Sequence, residues 1–421
     1  MGLWTIDDDR LRAALLAVRP DDTALHDEED AGHLAELVAR VVWSVLIEPG
    51  DRVAGLLIER LGAVEPARVV LDGASGAVLA ARLPGELGAD ELEAALARWR
   101  PRARWADILR ALEGAARCGA HLIVPGDPTW PESFLALTDS PPALLWARGD
   151  ASLLRRPSIA VVGARAATGY GEHVAMELAA GLAARDAVVV SGGAYGIDGM
   201  AHRAALASGG ATIAVLAGGL DRLYPSGHEA LLTRIAEQGL LLSEAPCGSA
   251  PTKWRFLQRN RLIAALADAT VVIEAGRRSG ALSTAGHALG MGRPVGLVPG
   301  PITSAASAGC HHFLRTFETT LITSVADVMR LAYGDDGVLP IDAGDDERSA
   351  PSGPTSLHTR VLDALRPRRG MGVEEIARSV GESPATIRGA LGSLELDERV
   401  QLGHDGLWRR AGVRASERSA S

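Results

Sequence analysis

The chain has 421 residues, 47% of them hydrophobic, and 43 basic against 52 acidic side chains give a net charge of −9. That length supports two or three domains and a sizeable core. The acidity argues against indiscriminate nucleic-acid binding through bulk charge, and no run approaches the roughly 20 apolar residues of a membrane span.

The first ten residues, Met1-Gly-Leu-Trp-Thr-Ile-Asp-Asp-Asp-Arg10, carry acids where a secretory leader needs bases. Cys118, Cys247 and Cys310 are too few and too scattered for a disulfide frame or a zinc cluster. A reducing cytoplasm is therefore the expected setting, with no metal, no cofactor and no membrane partner.

Residues 1–118 read as a small helical domain. Apolar residues recur at helical spacing over 34–46, Pro49-Gly50-Asp51 breaks the pattern, and it resumes over 53–61 before Gly62. Further helices are predicted over 90–99 and 105–118. Residues 1–110 hold 13 basic and 20 acidic side chains, which favours a partner-binding or structural role over DNA contact. The Pro- and Gly-rich segment 121–149 reads as extended and turn-rich, with an edge strand at 143–146 and no chemistry of its own.

From Ser158 strands alternate with helices. Strands are predicted over 159–162, 188–190, 213–216, 240–243, 271–273 and 295–298. Helices are predicted over 171–184, 199–207, 228–237, 254–267 and 283–291. Several strands are continuous apolar runs, as parallel strands covered on both faces require. The fold class is α/β, a doubly wound, mostly parallel sheet, whose ligands sit at the carboxyl ends of the strands.

The chain is organised around one turn at such an end, Ser191-Gly-Gly-Ala-Tyr-Gly-Ile-Asp198, continuing to His202. A strand, a glycine turn (Gly192, Gly193, Gly196) and a helix start would present free backbone N–H groups to an anion. Gly163-Ala-Arg165 ends the preceding strand and sets a guanidinium at the rim, where it can fork onto a phosphate. No Gly-x-Gly-x-x-Gly is present, which argues against an NAD enzyme. Residues 245–267 contain no acid yet carry Lys253, Arg255, Arg259 and Arg261, and residues 275–317 contain none yet carry Arg277, Arg278, Arg293 and Arg315. Arg255 and Arg259 are four apart on one helix and share a face. Asn260 adds an amide, and Ser279-Gly280 opens another helix. These residues predict a basic groove that follows a phosphate backbone. Asp198, His202, Glu244 and Glu274 are the acid–base candidates at the strand ends. Asp198 is read as bracing the turn, with His202 its potential partner, so no catalytic residue is assigned.

Residues 334–354 form an acidic Pro/Gly/Ser linker. Beyond it, helices over 357–365, 372–380 and 383–394 precede a hairpin over 400–409 with Asp405-Gly406 in its turn. That is the winged-helix pattern, and it would place Thr386 and Arg388 in a major groove. From Thr355 onward 11 basic and 9 acidic residues leave DNA reading and protein interaction both open. Residues 411–421 read as a disordered tail.

The assembled residues resemble the DNA-processing protein A (DprA/Smf) family. The resemblance covers 121–333 densely, through Val161-Val-Gly-Ala-Arg165, the 191–198 turn with Ala201-His202, Tyr224-Pro225, Ser243-Glu244, Arg259-Asn-Arg261, Glu274-Ala275, Ser279-Gly280 and Val298-Pro-Gly300. It implies a Rossmann-like domain over 119–333 that binds single-stranded DNA without catalysis. It also implies a helical N-terminal domain of SAM or helix-hairpin-helix type and a winged helix over 355–410. It further implies a homodimer that loads RecA recombinase onto incoming DNA in natural transformation. Arg165 carries over as a phosphate or base contact and Arg259-Asn260-Arg261 as part of the binding wall, with Lys253 added from its place beside them. Departures occur at Ser226-Gly227-His228, at Leu257, and near His311 and 315–321, where the family's dimer and RecA contacts lie. Two rival classes stay open. Lysine-decarboxylase-like nucleotide phosphoribohydrolases need Gly-Gly-x-Gly-Thr-x-x-Glu, whereas here Glu274-Ala-Gly-Arg-Arg-Ser-Gly-Ala-Leu-Ser-Thr284 is followed by no acid until Glu318. A winged-helix regulator would prefer a specific duplex.

Overall fold

The computed structural model describes residues 8–26, 30–138, 140–334, 357–365, 370–396, 399–403 and 405–410. The described residues as far as Gly334 belong to one compact unit and those from Leu357 to a second. The expected linker beyond Gly334 and the expected tail lie outside the described residues.

The first unit is built on nine strands. In chain order they are β1 (His121–Ile123), β2 (Leu145–Gly149), β3 (Ser158–Val162), β4 (Val188–Ser191), β5 (Thr212–Leu216), β6 (Leu240–Ser243), β7 (Ala269–Val272), β8 (Val295–Leu297) and β9 (Thr320–Leu321). Their spatial order is β1-β2-β6-β5-β4-β3-β7-β8-β9. From β6 to β9 all neighbours run parallel, while β2 is antiparallel to both β1 and β6. The predicted edge strand is thus an internal one, displaced to 145–149. Its outer neighbour β1 is only three residues long, too short to show a pattern among the surrounding prolines.

The apolar runs follow from double coverage. Ile159 and Val161 of β3 join a core with Ala175, Leu178 and Leu182 of the helix Gly169–Ala183. Ala160 and Val162 face the other way, into a core with Leu262 and Ile263 of the helix Lys253–Leu266. Every residue of β3 is buried, so no polar face can appear in the sequence.

The N-terminal helices form a layer against one end of this sheet. Beyond the four predicted, Asp8–Leu16 and Val64–Leu71 are helical as well. Pro66 obscures the second, but it falls in the first turn, where its missing N–H has no intrahelical acceptor to lose. Trp43 and Trp99 meet edge to face at 5.3 Å, and the Trp43 indole donates to the Ala63 carbonyl at 2.9 Å. Their core runs without a break into Trp146, Leu216, Leu232 and Leu241. An ion pair ties the layer to the helix Lys253–Leu266: Arg255 donates from Nε and Nη2 to the Glu48 carboxylate at 2.8 and 2.9 Å. Arg102 reaches the same carboxylate at 2.6 Å.

In the second unit the helices Leu357–Ala364, Val373–Val380 and Pro384–Leu396 enclose Val361, Ile376, Ile387 and Leu391. Strands β10 (Val400–Leu402) and β11 (Trp408–Arg410) pair as an antiparallel wing, and Met371 bridges to Trp408. The Ser383 hydroxyl caps the third helix by accepting from the Thr386 amide at 3.2 Å. This is a winged helix, as the pattern predicts. Thr386 and Arg388 are both exposed, and the Thr386 hydroxyl lies 2.8 Å from that of Ser383.

Arg255 and Arg102 together hold the Glu48 carboxyl below the ordinary glutamate value of 4.5, against the opposing effect of burial. A depressed folded value stabilises the native state above the unfolded value and loses that contribution as pH falls through the folded value. The stability difference between wild type and Glu48→Gln, measured by urea titration, should be largest near neutral pH and shrink as the pH falls below the ordinary carboxylate range.

Candidate nucleic-acid interface

The chain leaves β3, fills the sheet outward through β4, β5 and β6, then returns by the helix Lys253–Leu266 to place β7 on the other side of β3. Loops at such a reversal diverge and leave a crevice. Here the crevice is an open cleft of about 920 Å³. Its walls are the Gly163–Ala166 turn after β3, the start of the crossover helix, and the 276–280 loop after β7.

The expected anion at the glycine turn turns out to be the chain's own. The Asp198 carboxylate accepts from the amides of Gly192 at 3.1 Å and Ala194 at 3.4 Å, and the nearby Gly163 amide also favours its charge. Those N–H groups are therefore engaged rather than free for a ligand. Gly196, at φ +73°, lets the two turns touch: a Cβ there would stand 2.2 Å from the Ala164 carbonyl oxygen. Ser191 is buried and donates to the Val161 carbonyl at 2.6 Å. It acts as a strand-to-strand tie, and Gly193 packs under Leu232 and Leu216.

His202 does not partner Asp198. It points into the core, with Nδ1 2.7 Å from the Thr212 hydroxyl. That hydroxyl donates to the Val189 carbonyl at 2.6 Å, so Nδ1 carries the proton and donates. Burial, helped by nearby His228, Arg259 and Arg203, pulls its pKa down to about 3. The other two acid–base candidates are also occupied. Glu274 accepts from the Thr168 amide at 2.9 Å and hydroxyl at 2.6 Å, which fixes the start of the helix Gly169–Ala183. Glu244 accepts from Arg261.

The arginines separate into different roles. Arg261 is 3% exposed and both of its contacts, 2.7 and 2.9 Å, go to Glu244. Burial pushes that carboxyl up and the guanidinium pulls it back only in part. Arg261 is absent from the cleft lining, and Arg255 is held by Glu48, so neither joins the expected wall. The sequence places four bases on one helix but cannot show which face meets a carboxylate from elsewhere. Arg259 is buried but reaches the cleft. Its Nη1 donates to the Gly192 carbonyl at 2.7 Å and to the Val215 carbonyl. A Cβ on Gly192 would collide with this guanidinium at 2.2 Å. Burial lowers the Arg259 pKa to about 10, with the Asp198 charge opposing, and it remains a cation at neutral pH. Burial likewise pushes the Asp198 carboxyl up, against the pull of Arg259 and the backbone amides.

Arg165 and Lys253 are exposed and line the cleft. The guanidinium carbon of Arg165 stands 4.8 Å from the Phe256 ring centre, and that of Arg259 stands 5.7 Å from it. Two cations thus share one aromatic ring. Asn260 donates to the Gly280 carbonyl at 3.2 Å and joins the crossover helix to the Ser279-Gly280 turn. Phe256 and Tyr224 line the cleft without having been assigned to it by sequence, and Arg277 and Arg278, known from the sequence only as bases of an acid-free window, line it as well. Tyr224 lies 5.8 Å from Phe256, ring centre to ring centre, and is 47% exposed. Arg277 and Arg278 are exposed beside Ser279. The acid-free window around Arg277 and Arg278 was their signal, whereas Phe256 carried none beyond being apolar in a helix. Among the described residues Asp198 is the one carboxylate lining the cleft, against Arg165, Lys253, Arg259, Arg277 and Arg278.

The fold and the cleft define a doubly wound α/β protein with a cation-lined crevice at its switch point. The family model described as DNA recombination-mediator protein A matches residues 121–332, and that described as the DprA winged helix domain matches residues 345–406. The putative DNA processing protein DprA of Mycobacterium tuberculosis is 49% identical over 318 residues, covering 72% of this chain and 80% of that protein. The DNA processing protein DprA of Streptococcus pneumoniae is 41% identical over 203 residues, covering 48% and 71%. The X-ray structure of DprA from Streptococcus pneumoniae superposes with a TM-score of 0.57 at 31% identity, over 70% of this chain and 96% of that one. The chain belongs to the DNA recombination-mediator protein A family.

The different roles of the arginines are measurable as stability. Arg261→Ala strands Glu244 in the core and should cost about 3–5 kcal/mol. Arg165→Ala removes only an exposed side chain and should fall within about 0.5 kcal/mol of wild type. Urea unfolding of both variants checks the contrast.

Proposed function

We propose that the cleft binds single-stranded DNA and performs no bond-breaking. The observation that carries this reading is the pairing of Arg165 and Arg259 over Phe256, with Tyr224 beside them, in an open crevice rich in cations. Arginine and lysine heads suit a phosphate backbone, and aromatic faces suit unstacked bases, which a duplex does not offer. Arg165, Lys253, Arg277 and Arg278 have no ion-pair partner among the described residues, so phosphates would meet no competing carboxylate there. Gly163, Asn260, Ser279 and Gly280 shape the walls, and Gly192, Gly193, Gly196 and Ser191 support them from below.

The absence of catalysis rests on the acid–base candidates: Asp198, His202, Glu244 and Glu274 each hold up a neighbouring element. Membership of the family supports a role in DNA processing during natural transformation and recombination. On the same resemblance the protein acts in the cytoplasm as a homodimer and delivers the bound strand to RecA recombinase. The winged helix supplies a second contact, through Thr386 and Arg388, to DNA or to a protein partner.

Arg165→Ala should weaken single-strand binding and lower the salt slope of its affinity by about one phosphate contact. Fluorescence anisotropy with a labelled oligonucleotide and its duplex, across a salt series, measures both. Equal affinity for strand and duplex, or an unchanged slope in the variant, would refute the reading. Free base released from nucleoside monophosphates would favour the hydrolase class instead.

A further inference from the structure

Two of the three cysteines meet in the fold. Cys118 ends the helix Trp105–Cys118, and Cys247 lies in the loop that runs from β6 to the crossover helix. Their sulfurs are 3.9 Å apart, across 129 residues of sequence. Gly114 stands one turn before Cys118 on the same helix face. A Cβ at Gly114 would stand 2.9 Å from the Cys247 Cβ, so its missing side chain lets the loop press its thiol against the helix. The loop is held there from both sides. Gly248 donates to the Asp221 carboxylate at 2.9 Å, and Ser249 accepts from the Gly219 amide at 2.9 Å. A disulfide needs sulfurs about 2.05 Å apart, so closure requires a displacement of about 2 Å.

We propose that Cys118 and Cys247 form a peroxide-oxidisable dithiol that closes to a reversible disulfide and fastens the helical layer to the loop leading into the cleft. Cys118 is half-buried and reachable, and Cys247 is buried beneath it. The two thiols touch in a contact in which either can donate, and that contact, with Arg148 nearby, draws the Cys118 thiol down to about 7, against burial. The same contact and burial push Cys247 up. Cys118, the more accessible of the two, is the nucleophile, and the buried Cys247 is the resolving thiol. The Cys118 thiolate attacks one oxygen of hydrogen peroxide. The S–O bond forms, the O–O bond breaks, and the departing hydroxide takes a proton to become water. Cys247 sulfur then attacks the sulfenic sulfur of Cys118. The S–S bond forms, the S–O bond breaks, and the released hydroxide leaves as water with the Cys247 proton. Two thiols lose two electrons, peroxide becomes two waters, and a dithiol reductant reverses the change. In a reducing compartment such a bond is transient. It would stiffen the segment that presents Pro251, Thr252 and Lys253 to the cleft.

Cys310 is an internal control, because it is buried with its thiol pushed up to about 11. The full chain is treated with hydrogen peroxide, remaining thiols are blocked with iodoacetamide in denaturant, and peptides are mapped by mass spectrometry. The expected product is an intrachain pair of peptides containing Cys118 and Cys247, two hydrogens lighter and separated again by dithiothreitol. Thiol titration in denaturant should fall from three per chain to one. Cys118→Ala and Cys247→Ala should each abolish the cross-link while Cys310 stays alkylatable. Sulfinic acid at Cys118 with Cys247 still alkylatable, or cross-links only between chains, would overturn the proposal. The wild-type map decides the matter even if a variant folds poorly.

Discussion

One carboxylate organises the centre of the molecule. Asp198 sits beneath the glycine turn after β4, accepts from two amides of that turn, and is favoured by the nearby Gly163 amide of the turn after β3. Neighbouring loops at the carboxyl end of a parallel sheet all present N–H groups that the sheet leaves unpaired. Burying an acid among them satisfies several donors at once, at the cost of removing a charge from water. Arg259 completes the arrangement. It lies near enough to compensate the charge and donates to carbonyls at the ends of β4 and β5. The cleft therefore has a floor that is internally neutral and hydrogen-bonded, on which exposed cations can stand without collapsing inward.

This changes where ligand affinity would originate. A glycine-rich turn opening a helix suggests a phosphate held on backbone amides, and here that position is filled by the protein. The available positive charge lies higher, on Arg165, Lys253, Arg277 and Arg278 at the rim. A phosphate pocket with its anion already built in is a poor nucleotide site. An open rim of cations around Phe256 and Tyr224 fits an extended chain of phosphates and bases better than a single compact ligand.

The helix Lys253–Leu266 carries out three tasks by facing three ways. Arg255 holds the N-terminal layer through Glu48, Arg261 braces the interior through Glu244, and Lys253 with Arg259 turns to the cleft. The layer it holds shares its core with β2, β5 and β6, so the helical part and the sheet pack as one body. The Cys118–Cys247 contact lies on that same seam, beside the loop that starts this helix.

Much was legible in the chain itself. Apolar runs separated by helical periodicity specified the parallel strands β3 to β8, because strands covered on both faces admit no polar alternation. Ser383, the helix periods after it and the Asp405-Gly406 turn specified the winged helix, because caps and turns act over a few residues. Motif order carried the family. Pairings across long separations were decided only by the tertiary structure. These include the internal position of β2, Arg259 reaching the ends of β4 and β5, Glu48 and Glu244 claiming Arg255 and Arg261, and the meeting of Cys118 with Cys247. Local spacing reports which side chains share a face, but a charge's role depends on the counter-charge that packing brings to it.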